Sequence, residues 1–482
     1  MIDFRPVGYV IGLLATAFGL TMLVPFLVDF AAGSANAGNF GISAMITVVS
    51  GGLLALACAN VSLKGLTIQQ TFLLTTLSWL VLPIFGALPF WIGAPDVSYT
   101  DAFFEAMSGL TTTGSTVFSN LETLPKGTLL WRGMMQWFGG VGIIVVALAF
   151  LPTLKVGGMQ IFRSEGFDTL GKILPRAAEI ASSISVVYLG LTLACILAYS
   201  IVGMAFFDAV VHALTTVSTG GFANYDASFG AFKGAPEYVA TVFMLLSSLP
   251  FVRYVQLMNG SAQPILHDPQ VRAFLLLVAA LVVGVTGFQM FEDGFGAEES
   301  IRESLFNVSS ILSGTGFASV DYQLWGTFPV ALFFLMGLIG GCAGSTCCSI
   351  KIFRFQLLAA AIRSQIQRIH SPSGIFTPRY QGRPVGEDIL SSVMAFFVAF
   401  MLTLATVAVL LSLLGLEPVT AISGAATALA NIGPGLGDEI GPSGNFAGLP
   451  DSAKWVLSIT MLIGRLELLS VYVLFTVAFW RH

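Results

Sequence analysis

The sequence predicts an all-α polytopic membrane protein built on a fourfold repeat, and three observations carry that prediction. Of 482 residues, 55% are hydrophobic and only 10% charged, too few charges for the surface of a soluble domain of this size. Long apolar stretches recur at 7–28, 42–62, 67–93, 129–152, 181–206, 239–258, 272–291, 327–350, 389–416 and 455–480. Between them a small-residue run ending in glycine recurs four times, closing at Gly114, Gly221, Gly316 and Gly433.

Each apolar stretch is near or above the ~20 residues that cross a ~30 Å hydrocarbon core. Ten spans follow, all helical, because unclosed strands cannot satisfy their backbone in lipid. Arg5 ahead of an apolar run, with Ala35-Asn36-Ala37 beyond it, imitates a signal peptide. That run exceeds the usual ~7–15 residues of a cleaved signal, so a retained first span is expected. The five cysteines (Cys58, Cys195, Cys342, Cys347, Cys348) all fall in apolar segments, which argues against a disulfide framework.

Charge sets the orientation. With ten crossings and the N-terminus inside, 15 of the 21 Lys and Arg residues fall inward, and only Lys126, Arg132, Lys233, Arg302 and Lys454 fall outward. Both termini are then cytoplasmic. Of the 26 acids, 18 fall outward and seven inward, leaving Glu467 inside a span. An acidic outer face concentrates cations, although topological sorting alone also separates charge.

The fourfold element is in register. Thirteen residues before each glycine stand Asp101, Asp208, Glu303 and Thr420; six before stand Ser108, Thr215, Ser310 and Thr427; three before stand Thr111, Ser218, Ser313 and Ala430. Each copy lies between two apolar stretches, giving span, short helix, loop, span, and repetition on this scale defines an architecture. Eleven helical residues reach about 16 Å, half a bilayer. A polar or acidic residue at the start suits the positive end of the helix dipole, and the negative end then faces the middle of the membrane. Four such ends would stabilise a dehydrated cation, and glycine permits the conformations that line carbonyls along a narrow axis. Close helix packing through small residues would need one such patch rather than four in register.

These residues resemble the Trk/Ktr/HKT superfamily of potassium transporters, in particular the TrkH-type membrane subunit of bacteria. The resemblance lies in Thr-Thr-Thr-Gly114, Gly220-Gly221-Phe222, Thr315-Gly316-Phe317, Asn431-Ile432-Gly433-Pro434-Gly435-Leu436-Gly437 and Gln136-Trp137-Phe138-Gly139-Gly140-Val141-Gly142-Ile143, and it covers essentially the whole chain. It implies four span–pore loop–span repeats around a central pore, preceded by two extra transmembrane helices. The expected division is 1–66 for those two helices and 67–160 for repeat 1, with its filter loop at 111–116. Repeat 2 takes 161–260 with a loop at 218–223. Repeat 3 takes 261–370 with a loop at 313–318 and an intramembrane loop at 340–350, and repeat 4 takes 371–482 with a loop at 430–435.

The resemblance further implies potassium uptake across the bacterial inner membrane, with transported K+ and no cofactor. Members with glycine at all four filter positions are generally potassium-selective, whereas serine in the first repeat accompanies sodium preference. The expected ligands are the carbonyls of Thr112, Thr113, Gly114, Thr219, Gly220, Gly221, Gly314, Thr315, Gly316, Asn431, Ile432 and Gly433. A homodimer and a cytosolic nucleotide-binding regulatory ring of TrkA type are also implied, docked on the basic loops 153–177 and 351–386, which could equally meet anionic lipid.

A second site is expected beneath the filter. The stretch 326–368 is too long for one span and is interrupted at Gly340, Gly341, Cys342, Ala343, Gly344, Ser345 and Thr346. Small residues there permit bending and free backbone carbonyls. In the family this is a flexible loop obstructing the path; similar proteins usually continue with glycines where this chain has Cys347, Cys348 and Ser349, which implies a stiffer or bulkier loop. Arg465, inside the last apolar stretch, costs at least ~2.5–3.5 kcal/mol unless partnered, so it should face the interior. Glu467, two positions on, points to another face, which leaves the loop carbonyls as acceptors. The family places an arginine beside this loop, implying a gate; a helix-bridging arginine is the structural counterpart.

Other classes fit less well. Gly344-Ser345-Thr346 lacks the lysine of a phosphate loop, and three cysteines without a fourth ligand do not define a transition-metal site. His212 on the second short helix has no nucleophile motif beside it, so no enzyme is expected. A secondary carrier coupling potassium or sodium entry to a proton or sodium gradient (a symporter) is the alternative. It would favour inverted repeats and intramembrane carboxylates, of which Glu467 is the chief candidate.

Overall fold

The computed structural model describes residues 2–60, 66–150, 156–162, 177–292 and 296–481. Among them, seven helices are long and apolar enough to cross a bilayer: Arg5–Ala31, Ala37–Ala57, Ile68–Ile92, Lys126–Leu148, Ser182–Ile201, Pro269–Phe291 and Glu387–Leu413. Leu27, Phe30, Leu56, Ile201, Val283 and Leu413 are exposed on them, as lipid-facing side chains would be. The first two helices meet where Gly12 and Gly51 oppose each other. A Cβ on Gly12 would lie 2.7 Å from the Gly51 oxygen, and one on Gly51 would lie 2.8 Å from the Gly12 oxygen. Only glycine lets the two backbones come this close.

Two stretches expected as single spans are broken. Ala235–Ser247 and Phe251–Met258 meet at 90°, and Asp451–Arg465 and Leu469–Phe475 meet at 104°. Pro250 explains the first break, since it has no N–H to continue the ladder. At the second, Glu467 and Leu468 are left-handed (φ +61° and +47°), which no right-handed helix accommodates. The third interruption lies where the sequence places it. Helix Thr327–Gly337 gives way to Ile339–Gly340, which pairs in parallel with Ile350–Lys351 before helix Ile352–His370 begins. The loop between those two-residue strands is therefore pinched at its neck.

Four short helices, Tyr99–Leu110, Phe206–Val217, Ala297–Ser313 and Pro418–Ala430, each run into one of the glycine-ending loops. Their C-terminal ends fall three or four residues before the glycine, as expected. Their starts fall earlier than Asp101, Asp208, Glu303 and Thr420, by two residues in three copies and by six in the third. Ser98 is the actual N-cap of the first, accepting from the Asp101 N–H at 3.1 Å. Pro418 opens the fourth, and Glu298 and Glu299 occupy the first turn of the third. Glu303 therefore sits a full turn and a half inside its helix, and it is buried rather than at a surface.

Candidate functional site

Left-handed backbone marks all four loops at the same two positions. Two residues before the glycine, φ is +52° at Thr112, +52° at Thr219, +75° at Gly314 and +53° at Asn431. At the glycines themselves φ is +87°, +80°, +78° and +106° for Gly114, Gly221, Gly316 and Gly433. Alternating the sign of φ along a chain turns successive carbonyls toward one side, where an extended chain would point them to opposite sides. A side chain at the glycine would pay about 1–2 kcal/mol for the conformation alone.

Each glycine also faces the carbonyl just before the glycine of the next copy, in a closed cycle. A Cβ on Gly114 would lie 2.2 Å from the Gly220 oxygen, and one on Gly221 would lie 1.9 Å from the Thr315 oxygen. A Cβ on Gly316 would lie 1.6 Å from the Ile432 oxygen, and one on Gly433 would lie 3.0 Å from the Thr113 oxygen. Copy one meets two, two meets three, three meets four, and four returns to one. All four glycines line a single cavity of ≈ 200 Å³, together with Thr116, Asp226 and Asn445.

Side chains from behind hold this ring. Gln136 donates to the Gly220 oxygen at 2.6 Å and accepts from the Phe222 N–H at 3.1 Å, so one amide clamps both sides of Gly221. Ser115 donates to the Gly433 oxygen at 2.8 Å, and Asn431 donates to the Thr113 hydroxyl at 2.9 Å. Gly220 and Gly433 thus offer oxygens already engaged within the ring. Arg132, expected on the outer surface, is instead fully buried against Glu105 at 2.7 Å. It also donates to the Ala223 oxygen at 2.8 Å and to the Thr116 hydroxyl at 3.1 Å, tying the first loop to the second. An uncompensated charge in lipid is too costly to leave at that depth. In the third copy Asn307 occupies the place of Glu105 and holds Ser319 through both amide atoms.

The pinched loop lies directly beneath. Cys348 Sγ is 3.8 Å from the Thr112 hydroxyl, and the Cys348 N is 3.6 Å from where a Gly314 Cβ would stand. Copies one and three are opposite in the cycle, so Cys348 lies against opposite sides of the ring. The bend at Ser247–Pro250 supplies the loop's anchors: Cys342 N donates to the Ser248 oxygen at 3.0 Å, the Thr346 hydroxyl donates to the Ser247 oxygen at 3.1 Å, and Phe251 N donates to the Gly344 oxygen at 2.9 Å. Ser349 ties the neck to the end of the fourth short helix, donating to the Ala430 oxygen from N and Oγ, both at 3.1 Å. Gly340 has no room for a side chain, because its Cβ would lie 1.9 Å from the Cys348 oxygen.

Arg465 meets the loop from the other side. It ends its helix at the 104° bend rather than standing within a continuous span. Its guanidinium donates to the Thr346 oxygen at 3.3 Å, to the Gly139 oxygen at 3.1 Å and to Cys348 Sγ. Glu467 is not its partner and pairs with Arg354, and with Lys351 at 3.4 Å. Lys351 and Arg354, expected on an exposed basic loop, are consequently buried, and Arg354 stacks on Phe396 at 3.8 Å. Arg363, Arg368, Arg379 and Arg383 of the same segment are exposed. The loop 153–177 falls largely outside the described residues.

Four glycine-ending loops closed into a ring, a further loop packed against them and a shell of long apolar helices define an integral membrane protein with a candidate permeation path. The chain belongs to the TrkH family of cation transport proteins, whose model matches residues 37–480. It is 45% identical to the Trk system potassium uptake protein TrkI of Halomonas elongata, over 99% of this chain and 97% of that one. It is 36% identical to TrkH of Escherichia coli K12, over 99% and 100%. The crystal structure of the potassium transporter TrkH from Vibrio parahaemolyticus superposes with a TM-score of 0.92, at 34% identity and full coverage of both chains.

Proposed function

We propose that the chain takes up potassium through a channel-like pore, with the four loops as pore loops and the glycine ring as its filter. The closed cycle of Gly114, Gly221, Gly316 and Gly433 carries this reading, because a ring of backbone oxygens can replace the hydration shell of a monovalent cation. The four short helices aim their C-terminal ends, and so their partial negative charge, at that ring. The oxygens divide between two tasks: those of Gly220 and Gly433 hold the ring together, and the rest of positions −2 to 0 face the ion. Each loop with its flanking helices is one of four repeats at 67–160, 161–260, 261–370 and 371–482, and the helices within 1–66 are the two extra ones.

The loop 340–350 and Arg465 form the gate in this proposal. The loop bridges the two bent helices beneath the ring, and a fixed positive charge beside it opposes a cation until the loop moves. Regulation comes from a cytosolic nucleotide-binding partner of TrkA type. The exposed Arg363, Arg368, Arg379 and Arg383, beside exposed Ile362, Ile366 and Ile369, offer it a surface. The chain works as a homodimer in the bacterial inner membrane with both termini cytoplasmic. Its relatives are transport proteins, which agrees with a chain that performs no catalysis.

Flux in liposomes containing the purified chain tests pore against carrier. A pore carries Rb+ and K+ down their own gradient with no proton or sodium gradient imposed, and carries Na+ more slowly. Flux that appears only when such a gradient is present would assign the carrier mechanism instead.

A further inference from the structure

We infer that Cys348 is a peroxide-sensitive modification site that locks the path beneath the glycine ring. Three observations converge on it. Its thiol lies 3.8 Å from the Thr112 hydroxyl and accepts from the Arg465 guanidinium, while its backbone N lies 3.6 Å from where a Cβ of Gly314, in the opposite copy, would stand. Cys347, Cys348, Ser349, Lys351, Arg465 and Glu467 are among the residues lining a cavity of ≈ 20 Å³, above the ~10–15 Å³ that one water-sized molecule needs. Arg465, 97% buried, keeps its Nε–H without an acceptor among the described residues. A buried unpaired donor is costly, and here it is available to an oxygen carried by the neighbouring sulfur.

Hydrogen peroxide is one oxygen larger than the water-sized molecule this space holds, and it reacts at sulfur flanked by cationic groups. The sulfur attacks one peroxide oxygen, an S–O bond forms and the O–O bond breaks. Sulfur loses two electrons and peroxide gains them. The departing hydroxide takes the thiol proton and leaves as water, so Cys–SH and H2O2 become Cys–SOH and H2O. The new oxygen accepts the Arg465 Nε–H and adds a further tie to those at the Thr346 oxygen and Cys348 Sγ, holding the loop in the path. Cys347 borders the same cavity and serves as an internal control, because its thiol is already engaged, donating to the Ser248 hydroxyl at 3.1 Å.

The effect on flux rests on the pore reading, whereas the oxidation itself does not, and two measurements keep them apart. Purified wild-type chain in liposomes is treated with hydrogen peroxide, and sulfenic acid is trapped with a dimedone reagent and mapped by peptide mass spectrometry. Label at Cys348 should exceed that at Cys347 and Cys342 by about tenfold or more, and equal or absent label at Cys348 overturns the inference. In parallel, Rb+ flux should fall after peroxide and recover with dithiothreitol, while Cys348→Ala should lose that response and Cys347→Ala keep it. Unchanged peroxide inhibition in Cys348→Ala also overturns it. If no chain passes Rb+ before treatment, the pore reading fails and the label alone decides the site.

Discussion

Replacing Gly316 with alanine should abolish K+ flux while leaving a folded protein in the membrane. The added methyl would stand 1.6 Å from the Ile432 oxygen, closer than any real contact, at a φ of +78°. None of its neighbours is a flexible side-chain tip: they are the Ile432 carbonyl and the Pro434 Cδ, at 2.9 Å, of the fourth loop, so the ring itself must open. The conformational cost is about 1–2 kcal/mol, small beside what buried helices supply. The functional cost is larger, because each ~1.4 kcal/mol lost between ion and oxygens is about tenfold in binding. Gly433→Ala is the graded comparison, since its methyl would sit 3.0 Å from the Thr113 oxygen. Liposome flux should rank wild type above Gly433→Ala above Gly316→Ala, with similar thermal unfolding for all three. Wild-type flux in Gly316→Ala would mean that ions do not cross this ring.

Arg465→Ala should raise resting flux by at least about tenfold. A unit charge opposes another by up to ~4 kcal/mol at 4 Å in a medium of effective dielectric ~20, and by less farther away. Removing it takes that barrier from the path and also frees the Thr346 oxygen and Cys348 Sγ, two ties on the loop. Arg465→Lys separates charge from fork geometry: it should stay near wild type if charge is what closes the path. Should Arg465→Ala unfold without added leak, and Arg465→Lys unfold equally, the arginine is a helix bridge through Gly139 and not a gate.

What the sequence discloses depends on whether a signal is local. The four glycines could be found because each ends a run of its own, with polar residues at fixed offsets. Arg465 stands out as a lone cation in apolar surroundings, and the break at 340–346 is announced by consecutive small residues. The bends at Ser247–Pro250 and 466–468 are not announced the same way, because hydropathy continues unchanged across both. Pro250 is a usable sign of the first in hindsight; for the second, nothing in Leu466-Glu467-Leu468 signals a left-handed turn. Pairings between distant residues are hidden altogether. Glu105 with Arg132 and Glu467 with Lys351 and Arg354 look from sequence like surface or stray charges, and only folding brings each set together in the interior. Gln136 lay in plain view inside Gln136-Trp137-Phe138-Gly139-Gly140, yet its role as a clamp on Gly220 and Phe222 needs coordinates.

Crystals of the chain grown in Rb+ and measured at the rubidium absorption edge offer the most direct test. The anomalous map should place a peak on the axis enclosed by Gly114, Gly221, Gly316 and Gly433, within coordination distance of backbone oxygens from all four loops, and Na+ crystals should lack it. A map with Rb+ elsewhere and none inside the ring would contradict the filter.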